Sequence, residues 1–147
     1  MPRRSSEPSE QLDPALASGL SASVSLEVTP ADTAVALGSG DVEVLGTPRL
    51  VALCEEASCR ALDGHLTGGQ TSVASRIQFD HLAPVAVGTT VTAEATLERV
   101  EGRRLVFTVS VRLRSDAQAG LVGAGRLTRV LVDTEKFMAK TGGNAPR

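Results

Sequence analysis

Aromatic side chains are almost absent from this sequence of 147 residues, which contains three Phe and no Trp or Tyr. A core built from it must be aliphatic, and the stacking platforms that bind single-stranded nucleic acids are missing. The net charge is −2 and there is no dense basic run, so the electrostatic footprint of a nucleic-acid-binding protein is missing as well. The length suits one domain around a single core.

Long apolar runs, a secretory leader and a cluster of metal ligands are also missing. No stretch approaches the roughly 20 apolar residues that cross a bilayer, and no apolar segment follows the N-terminal arginines. Cys54 and Cys59 lie in a predicted helix, where their side chains diverge by about 140°, too far for an intrahelical disulfide or a shared metal. These absences predict a soluble cytoplasmic protein with no metal and with neither nucleic acid nor membrane as a partner.

A single folded domain is predicted between two polar tails. Residues 1–18 and 141–147 are expected to be tails, whereas residues 19–140 carry the apolar periodicity of a packed domain. One long helix is predicted from Thr47, as its N-cap, to about Leu62.

Most of the remaining domain has the alternation of apolar and polar residues that is typical of an antiparallel sheet with one buried face. The predicted strands are residues 22–29, 71–81, 89–99, 104–114 and 121–132, with a tight turn at 101–103. In the second of these strands the alternation assigns one face to Val73, Ser75, Ile77, Phe79 and His81. One long helix with such a sheet defines an α+β fold, and we expect the sheet to wrap around this central helix.

Four polar residues occupy positions that the patterns assign to the apolar side. Glu55 lies beside the apolar stripe of the helix, whereas Glu56 lies on its charged stripe. His81 and Arg129 share the parity of the apolar residues in their strands, and Thr47 begins the helix. An unpaired buried charge costs several kcal/mol, so we expect these groups to meet one another or a polar ligand. A carboxylate, an imidazole, a hydroxyl and a guanidinium together suit a hydrolytic site.

Each of the four also has a simpler explanation. Thr47 on its own is most economically a helix cap, and a single inward histidine is more often a hydrogen-bonded core residue than a catalyst. Glu55 has two such explanations, a buried ion pair with Arg129 or a position at a subunit interface. A bulge would reverse the parity from which His81 and Arg129 were assigned.

Three segments carry a resemblance to a known family: "LGTPRLVALCEEAS" from Leu45, "TSVASRIQFDHLAPVAVG" from Thr71 and "GAGRLTRVLVDTEKF" from Gly123. Over residues 22–140 the sequence resembles the hotdog-fold thioesterases, in the branch typified by fluoroacetyl-CoA thioesterase. The resemblance implies an antiparallel sheet wrapped around one long central helix. It also implies a homodimer with its active site at the subunit interface, and hydrolysis of an acyl-CoA thioester to free acid and CoA without a cofactor.

The same resemblance assigns roles to individual residues. It implies that Thr47, Glu55 and His81 form the catalytic group and that Arg129 lies close to it. The backbone around Ala74 and Ser75 is expected to contact the substrate, although Ala74 stands where the family commonly has glycine. The loop before the helix lacks the phenylalanines that gate the fluoroacetyl enzyme, so an ordinary small or medium acyl group is expected.

Two other functions remain open at this level. One is a non-catalytic acyl-CoA-binding or sensing protein on the same fold, and the other is a hydratase-type hotdog enzyme, which would leave the thioester intact. The spacing of Thr47, Glu55 and His81 favours hydrolysis over both. It leaves open whether Glu55 acts as a general base or as a nucleophile.

Overall fold

The structure is a computed structural model that describes residues 16–114 and 120–142. In chain order its elements are β1 (Ser21–Glu27), α1 (Ala34–Leu37), α2 (Thr47–Ala61), β2 (Gln70–His81), β3 (Thr90–Glu101), β4 (Arg104–Leu113), β5 (Leu121–Asp133) and α3 (Thr134–Thr141). Most of both predicted tails, residues 1–15 and 143–147, lies outside the described residues. Leu16, which belongs to the predicted N-terminal tail, is buried in the core.

The five strands form one sheet in the order β1-β3-β4-β5-β2, and every neighbouring pair is antiparallel. The prediction of an antiparallel sheet combined with helices is therefore confirmed. Gly102 closes the β3–β4 hairpin with a φ of 63°, a left-handed conformation that glycine adopts without steric cost. The order of the strands leaves β1 and β2 as the two edges, so β2 pairs within the sheet along one side only.

Helix α2 packs against β1 and β3 on one face of the sheet. Pro48 lies in its first turn, where a missing N–H costs nothing. Its N-cap is Gly46 and no side chain caps the helix, so the prediction that Thr47 is the cap is wrong. The C-terminal end agrees with the prediction, because Leu62 is the C-cap and Gly64 follows with a φ of 82°.

The core between α2 and the sheet is aliphatic, as the composition predicts. The helix contributes Leu50, Leu53, Cys54, Ala57, Ser58 and Ala61 to it. The facing side chains of β3 and β4 include Val91, Ala93, Ala95, Leu97, Leu105 and the fully buried Phe107. Each leucine or valine removed from water in this way stabilises the fold by about 1.5–3 kcal/mol.

A β-bulge at Ser75 changes which face β2 presents. Ala74 pairs with Arg129 and Arg76 with Thr128, so Ser75 is an extra residue in the ladder. Before the bulge Ala74, opposite the buried Arg129, packs against the core, and after it Ile77, opposite the buried Leu127, takes up the same face. The prediction that Val73 and Ser75 share a face with Ile77 is therefore wrong. The inward direction of the later positions, His81 among them, agrees with the prediction.

Candidate active site

Thr47 and His81 meet at the N-terminal end of α2. The Thr47 Oγ1 and His81 Nδ1 atoms are 2.7 Å apart, and the tautomer of the ring decides which of them donates the hydrogen bond. Thr47 is available for this contact because Gly46, not Thr47, caps the helix. His81 reaches it as the last residue of β2, where it pairs with Gly123.

The other ring nitrogen of His81 has no partner in the described part of the chain. His81 Nε2 is buried and neither donates nor accepts a hydrogen bond there. Leaving a buried polar atom unpaired costs about 1–3 kcal/mol, so such an atom calls for an explanation. Thr47 and His81 form part of the wall of a cleft of about 330 Å³, which we call the threonine–histidine cleft. Its wall also includes the aliphatic side chains of Val42, Val44, Leu45 and Leu82.

A second group of polar residues surrounds Arg129, whose exposed fraction is 6%. The guanidinium donates from Nε to Ser72 Oγ (2.7 Å) and from Nη2 to the Ser72 carbonyl (3.0 Å). Its Nη1 donates to Ser58 Oγ over 3.4 Å, and the Ser58 hydroxyl donates to the backbone carbonyl of Glu55 over 2.6 Å. Arg129 thus connects β5 with β2 and with the turn of α2 that carries Glu55.

Sequence reasoning missed the two serines of this group. Ser58 lies on the same helical stripe as Glu55, between positions that become buried, and a small polar residue there was the available signal. The ion pair between Glu55 and Arg129 that the sequence left open is not formed in the described residues, since Arg129 donates to serines instead. Glu55 itself is half-buried.

Ala74 and Ser75 belong to the neighbourhood of Arg129 rather than to that of His81. Ala74 is the direct cross-strand neighbour of Arg129. Ser75 is exposed in the bulge and its hydroxyl donates to the Thr128 carbonyl over 3.4 Å. Neither residue forms part of the wall of the threonine–histidine cleft.

One chain therefore holds the predicted site residues in two separate groups. Thr47 and Glu55 are eight residues apart in α2, a rise of about 12 Å along the helix axis. Ala74 and His81 are seven residues apart in β2, about 23 Å along the strand. No hydrogen bond between described residues links the Glu55 carboxylate to Thr47 or His81.

Asp32 fixes the segment that leads into α2. Its carboxylate accepts hydrogen bonds of 2.8 Å from both the backbone N–H and the hydroxyl of Thr29, and it forms an ion pair of 3.2 Å with Arg49 Nε. Burial alone would raise the pKa of Asp32, but these contacts outweigh it and lower the pKa below its ordinary value. The Asp32 carbonyl accepts from the backbone N–H of Gly46 over 2.9 Å, which holds the residue before Thr47 in place.

Cys54 adjoins Glu55 on the buried side of α2. Burial, and secondly the charge of Glu55, raise the pKa of the Cys54 thiol to about 12. The thiol is therefore protonated at neutral pH and is a poor nucleophile. Within residues 16–114 and 120–142, no three His, Cys, Asp or Glu side chains converge as metal ligands would.

Two solved structures of the hotdog type superpose on this chain. A solved hot-dog-like protein from Thermanaerovibrio acidaminovorans is 27% identical to this chain and superposes with a TM-score of 0.77, covering 88% of this chain and 93% of that one. A Thermus thermophilus member of the thioesterase superfamily is 26% identical, with a TM-score of 0.74. This superposition covers 84% of this chain and 89% of the Thermus thermophilus protein. The chain thus has the fold of the hotdog-type thioesterases.

The family follows from the closer matches. The model of the fluoroacetyl-CoA-specific thioesterase family matches residues 28–135. A fluoroacetyl-CoA thioesterase from Streptantibioticus cattleyicolor is 38% identical over 104 residues, which are 71% of this chain and 72% of that protein. A solved fluoroacetyl-CoA thioesterase is 32% identical with a TM-score of 0.77, covering 88% of this chain and 97% of that one. The chain belongs to this thioesterase family and is a thioester hydrolase.

None of the helices in the described part of the chain combines the length and the apolar character that crossing a bilayer requires.

Proposed function

We propose that the protein hydrolyses a small or medium acyl-CoA thioester to the free acid and CoA. The observation that carries this proposal is the hydrogen bond between Thr47 and His81 on the wall of a cleft, in a chain that belongs to a thioesterase family. The apolar part of that wall is aliphatic, which suits an aliphatic acyl group. The fold around it is a single hotdog domain, residues 19–140, whose sheet curves around α2 as the central helix.

The complete site is formed by two copies of the chain. The two groups of site residues lie too far apart in one chain to act on one carbonyl, and β2, which contributes to both, is a free edge. Pairing of β2 with its own copy about a two-fold axis runs the two strands antiparallel. The half of β2 that carries Ala74 in one copy then lies beside the half that carries His81 in the other. Ile77, which faces the helix side of this edge yet is 37% exposed, would be covered by the partner.

In this composite site, Glu55 of one copy acts opposite Thr47 and His81 of the other. The Glu55 carboxylate accepts a proton from water, and the water oxygen attacks the thioester carbonyl carbon. The C–S bond then breaks, and a protonated His81 gives a proton to the departing thiolate. The proton held by Glu55 returns to the imidazole, which restores the site. Direct attack by the carboxylate, with water cleaving the resulting anhydride, uses the same residues.

The remaining residues position these groups. Thr47 holds the ring of His81 through Nδ1 and thereby aims the buried Nε2 at the substrate. Ser75 stands outside the β2–β5 ladder, and its backbone N–H, next to Ala74, is the candidate donor to the oxyanion. Arg129 keeps β2 and the Glu55 turn of α2 together through Ser72 and Ser58. The reaction needs no metal or cofactor, and the free thiols Cys54 and Cys59 suit the reducing cytoplasm.

Release of CoA thiol from a panel of acyl-CoAs tests the proposal. We expect Glu55→Ala and His81→Ala to lower kcat at least about a hundredfold. Glu56→Ala is the matched control, since Glu56 neighbours Glu55 but forms an exposed ion pair of 3.0 Å with Arg60. It is expected to keep wild-type turnover and to lose no more than about 0.5 kcal/mol of stability.

Each rival function has a distinct result. Equal turnover in wild type and in both alanine variants would refute the assigned roles. Binding of acyl-CoA without release of thiol would favour a non-catalytic binding protein. Loss of the enoyl absorbance of an enoyl-CoA with its thioester intact would favour a hydratase.

A further inference from the structure

The carboxylate of Glu55 is placed by its backbone and not by hydrogen bonds of its own. Within the described part of the chain, the contact that Glu55 makes outside the helix ladder is through its carbonyl oxygen, which accepts a hydrogen bond of 2.6 Å from Ser58 Oγ. No described side chain donates to the carboxylate. The position of the carboxylate therefore depends on how the turn from Glu55 to Ser58 is held.

The hydroxyl of Ser58 has a fixed direction, because it stands between a donor and an acceptor. A guanidinium can only donate hydrogen bonds, so Arg129 Nη1 donates to Ser58 Oγ over 3.4 Å and the single hydroxyl proton goes to the Glu55 carbonyl. Arg129 is itself anchored on β2, since it donates to the hydroxyl and the carbonyl of Ser72. The hydroxyl of Ser58, which is fully buried, thus ties the Glu55 turn to the sheet.

Stability of the fold does not explain this arrangement. Arg129 is buried, yet its partners in the described residues are two serine hydroxyls and a carbonyl, none of which carries a charge. Burying a cation without a carboxylate partner is costly. A serine inside a helix that donates to a carbonyl of the preceding turn also destabilises the helix slightly and bends it. Two unfavourable features therefore meet at the turn that carries Glu55.

We propose that Ser58 is a positioning residue for Glu55. Its hydroxyl, aligned by Arg129, holds the turn of α2 so that the Glu55 carboxylate meets the thioester that lies against Thr47 and His81 of the other copy. Ser58 does not touch the substrate, because its side chain is fully buried and forms no part of the wall of the threonine–histidine cleft. A small displacement of a reacting group lowers the rate of the chemical step, whereas substrate binding does not depend on this hydroxyl. The inference rests on the proposed thioesterase function.

Removal of one hydroxyl tests this inference. Ser58→Ala should fold like the wild type, because alanine fits the space and favours a helix. We expect its kcat for acyl-CoA to fall about tenfold, with KM unchanged. Ser25→Ala is the matched control, since it removes a serine hydroxyl that lies 2.8 Å from Thr92 Oγ1 on the exposed side of β1, and it should keep the wild-type kcat. A wild-type kcat in Ser58→Ala, or a rise in KM that accounts for its loss of activity, would overturn the inference.

Two mixed dimers separate a positioning role from a general loss of structure. When a Ser58→Ala/His81→Ala chain pairs with a Glu55→Ala chain, the one intact site uses the Glu55 that lacks the Ser58 hydroxyl. When a His81→Ala chain pairs with a Glu55→Ala/Ser58→Ala chain, the intact site uses a Glu55 whose Ser58 is present. We expect the first dimer to be about tenfold slower than the second.

The remaining results distinguish the inference from the function on which it rests. Equal turnover in two active mixed dimers would overturn the role of Ser58. If both mixed dimers are inactive, the two-copy site fails, and the kcat of the Ser58→Ala homodimer alone decides for or against the inference. If the wild type releases no thiol from any acyl-CoA, the proposed function fails and the inference fails with it.

Discussion

Two roles are open to a threonine at the position of Thr47, helix cap and member of a reactive site. The hydrogen bond that its hydroxyl forms distinguishes between them. Serine and threonine at the start of a helix usually cap it. Here Gly46 occupies the cap and the Thr47 hydroxyl contacts His81 instead. The residue is exposed, so its replacement should disturb the reaction far more than the fold.

We expect Thr47→Val, which keeps the shape and removes the hydroxyl, to lower kcat about tenfold to a hundredfold. Thr47→Ser, which keeps the hydroxyl, should stay within about threefold of wild type, and the free energy of unfolding should change by no more than about 0.5 kcal/mol in either variant. Thiol release and thermal melting measure the two effects. If the valine and serine variants turn over equally fast, the hydroxyl has no part in the reaction.

The two cysteines should differ strongly in reactivity. Cys59 is exposed, whereas the pKa of the buried Cys54 is raised to about 12. At pH 8 only about one Cys54 thiol in ten thousand is ionised, so a disulfide reagent should label one cysteine per folded chain quickly. The second should react only when the protein unfolds.

The cysteine variants identify the labelled residue. Cys59→Ser should abolish the fast phase and Cys54→Ser should keep it. Two fast thiols in the wild type would contradict the burial of Cys54. The Cys59→Ser variant is also the suitable background for thiol-release assays, because it removes the protein's own signal.

At the scale of elements, the pairing of β5 with β2 depends on two glycines opposite the end that carries His81. A Cβ atom at Gly125 would lie 2.0 Å from the Gln78 carbonyl oxygen, and one at Gly123 would lie 2.5 Å from the Phe79 ring. The "GAGR" segment lies inside a strand, and its glycines serve the close approach of a neighbouring backbone and ring.

We expect Gly125→Ala to destabilise the fold by about 1–3 kcal/mol, because the methyl group meets backbone that has no room to shift. Gly68→Ala is the matched control, since no atom lies within 4 Å of a Cβ there. Its melting temperature should equal that of the wild type. Equal melting temperatures for Gly125→Ala and wild type would mean that β2 and β5 are less closely packed than the structure indicates.

The elements that the sequence predicts well are those with a long, regular pattern. Alternation along β3 and β4 places Val91 to Leu97 and Leu105 to Val111 on the buried side, as the structure has them. In β2 the predicted face of Val73 is wrong, because no particular residue type marks a bulge in a sequence. Helix α3 was not predicted, since eight residues give little more than two turns of periodicity, and its Asp133 cap was the only clear signal.

Sequence patterns single out the charged residues of the candidate site but not the small residues around them. A carboxylate, an imidazole and a guanidinium at positions assigned to the apolar side are conspicuous, so the sequence singles out Glu55, His81 and Arg129 as candidates. Ser58 and Ser72 hold Arg129, but buried serines are common and nothing in the sequence relates positions in different elements.

Because the proposed site takes Glu55 from one copy and His81 from the other, two inactive variants should complement each other in a mixed dimer. Glu55→Ala and His81→Ala chains are each inactive alone in the proposed mechanism. In a dimer with one chain of each kind, one of the two composite sites has both residues intact. Random pairing of equal amounts should therefore restore about a quarter of wild-type activity.

Co-expression of the two variants with different affinity tags allows the mixed dimer to be isolated. Its thiol-release activity should be about half that of the wild type, because one of its two sites is intact. A mixture of Glu55→Ala with Glu55→Ala/His81→Ala is the control and should stay inactive. If the first mixed dimer is also inactive, Glu55 and His81 act within one chain and the composite site is wrong.

Because of the bulge at Ser75, the loss of a residue from β2 and the gain of one have different consequences. Loss of Ser75 would leave Ala74 opposite Arg129 and Arg76 opposite Thr128, as they are now. The imidazole of His81 would therefore still point to the same side of the sheet. One extra residue between Ile77 and Asp80 would instead turn the imidazole to the outer surface, unless a second bulge absorbed it. Loss of a residue at the bulge should therefore leave the direction of the His81 side chain unchanged, whereas an insertion after Ile77 should reverse it.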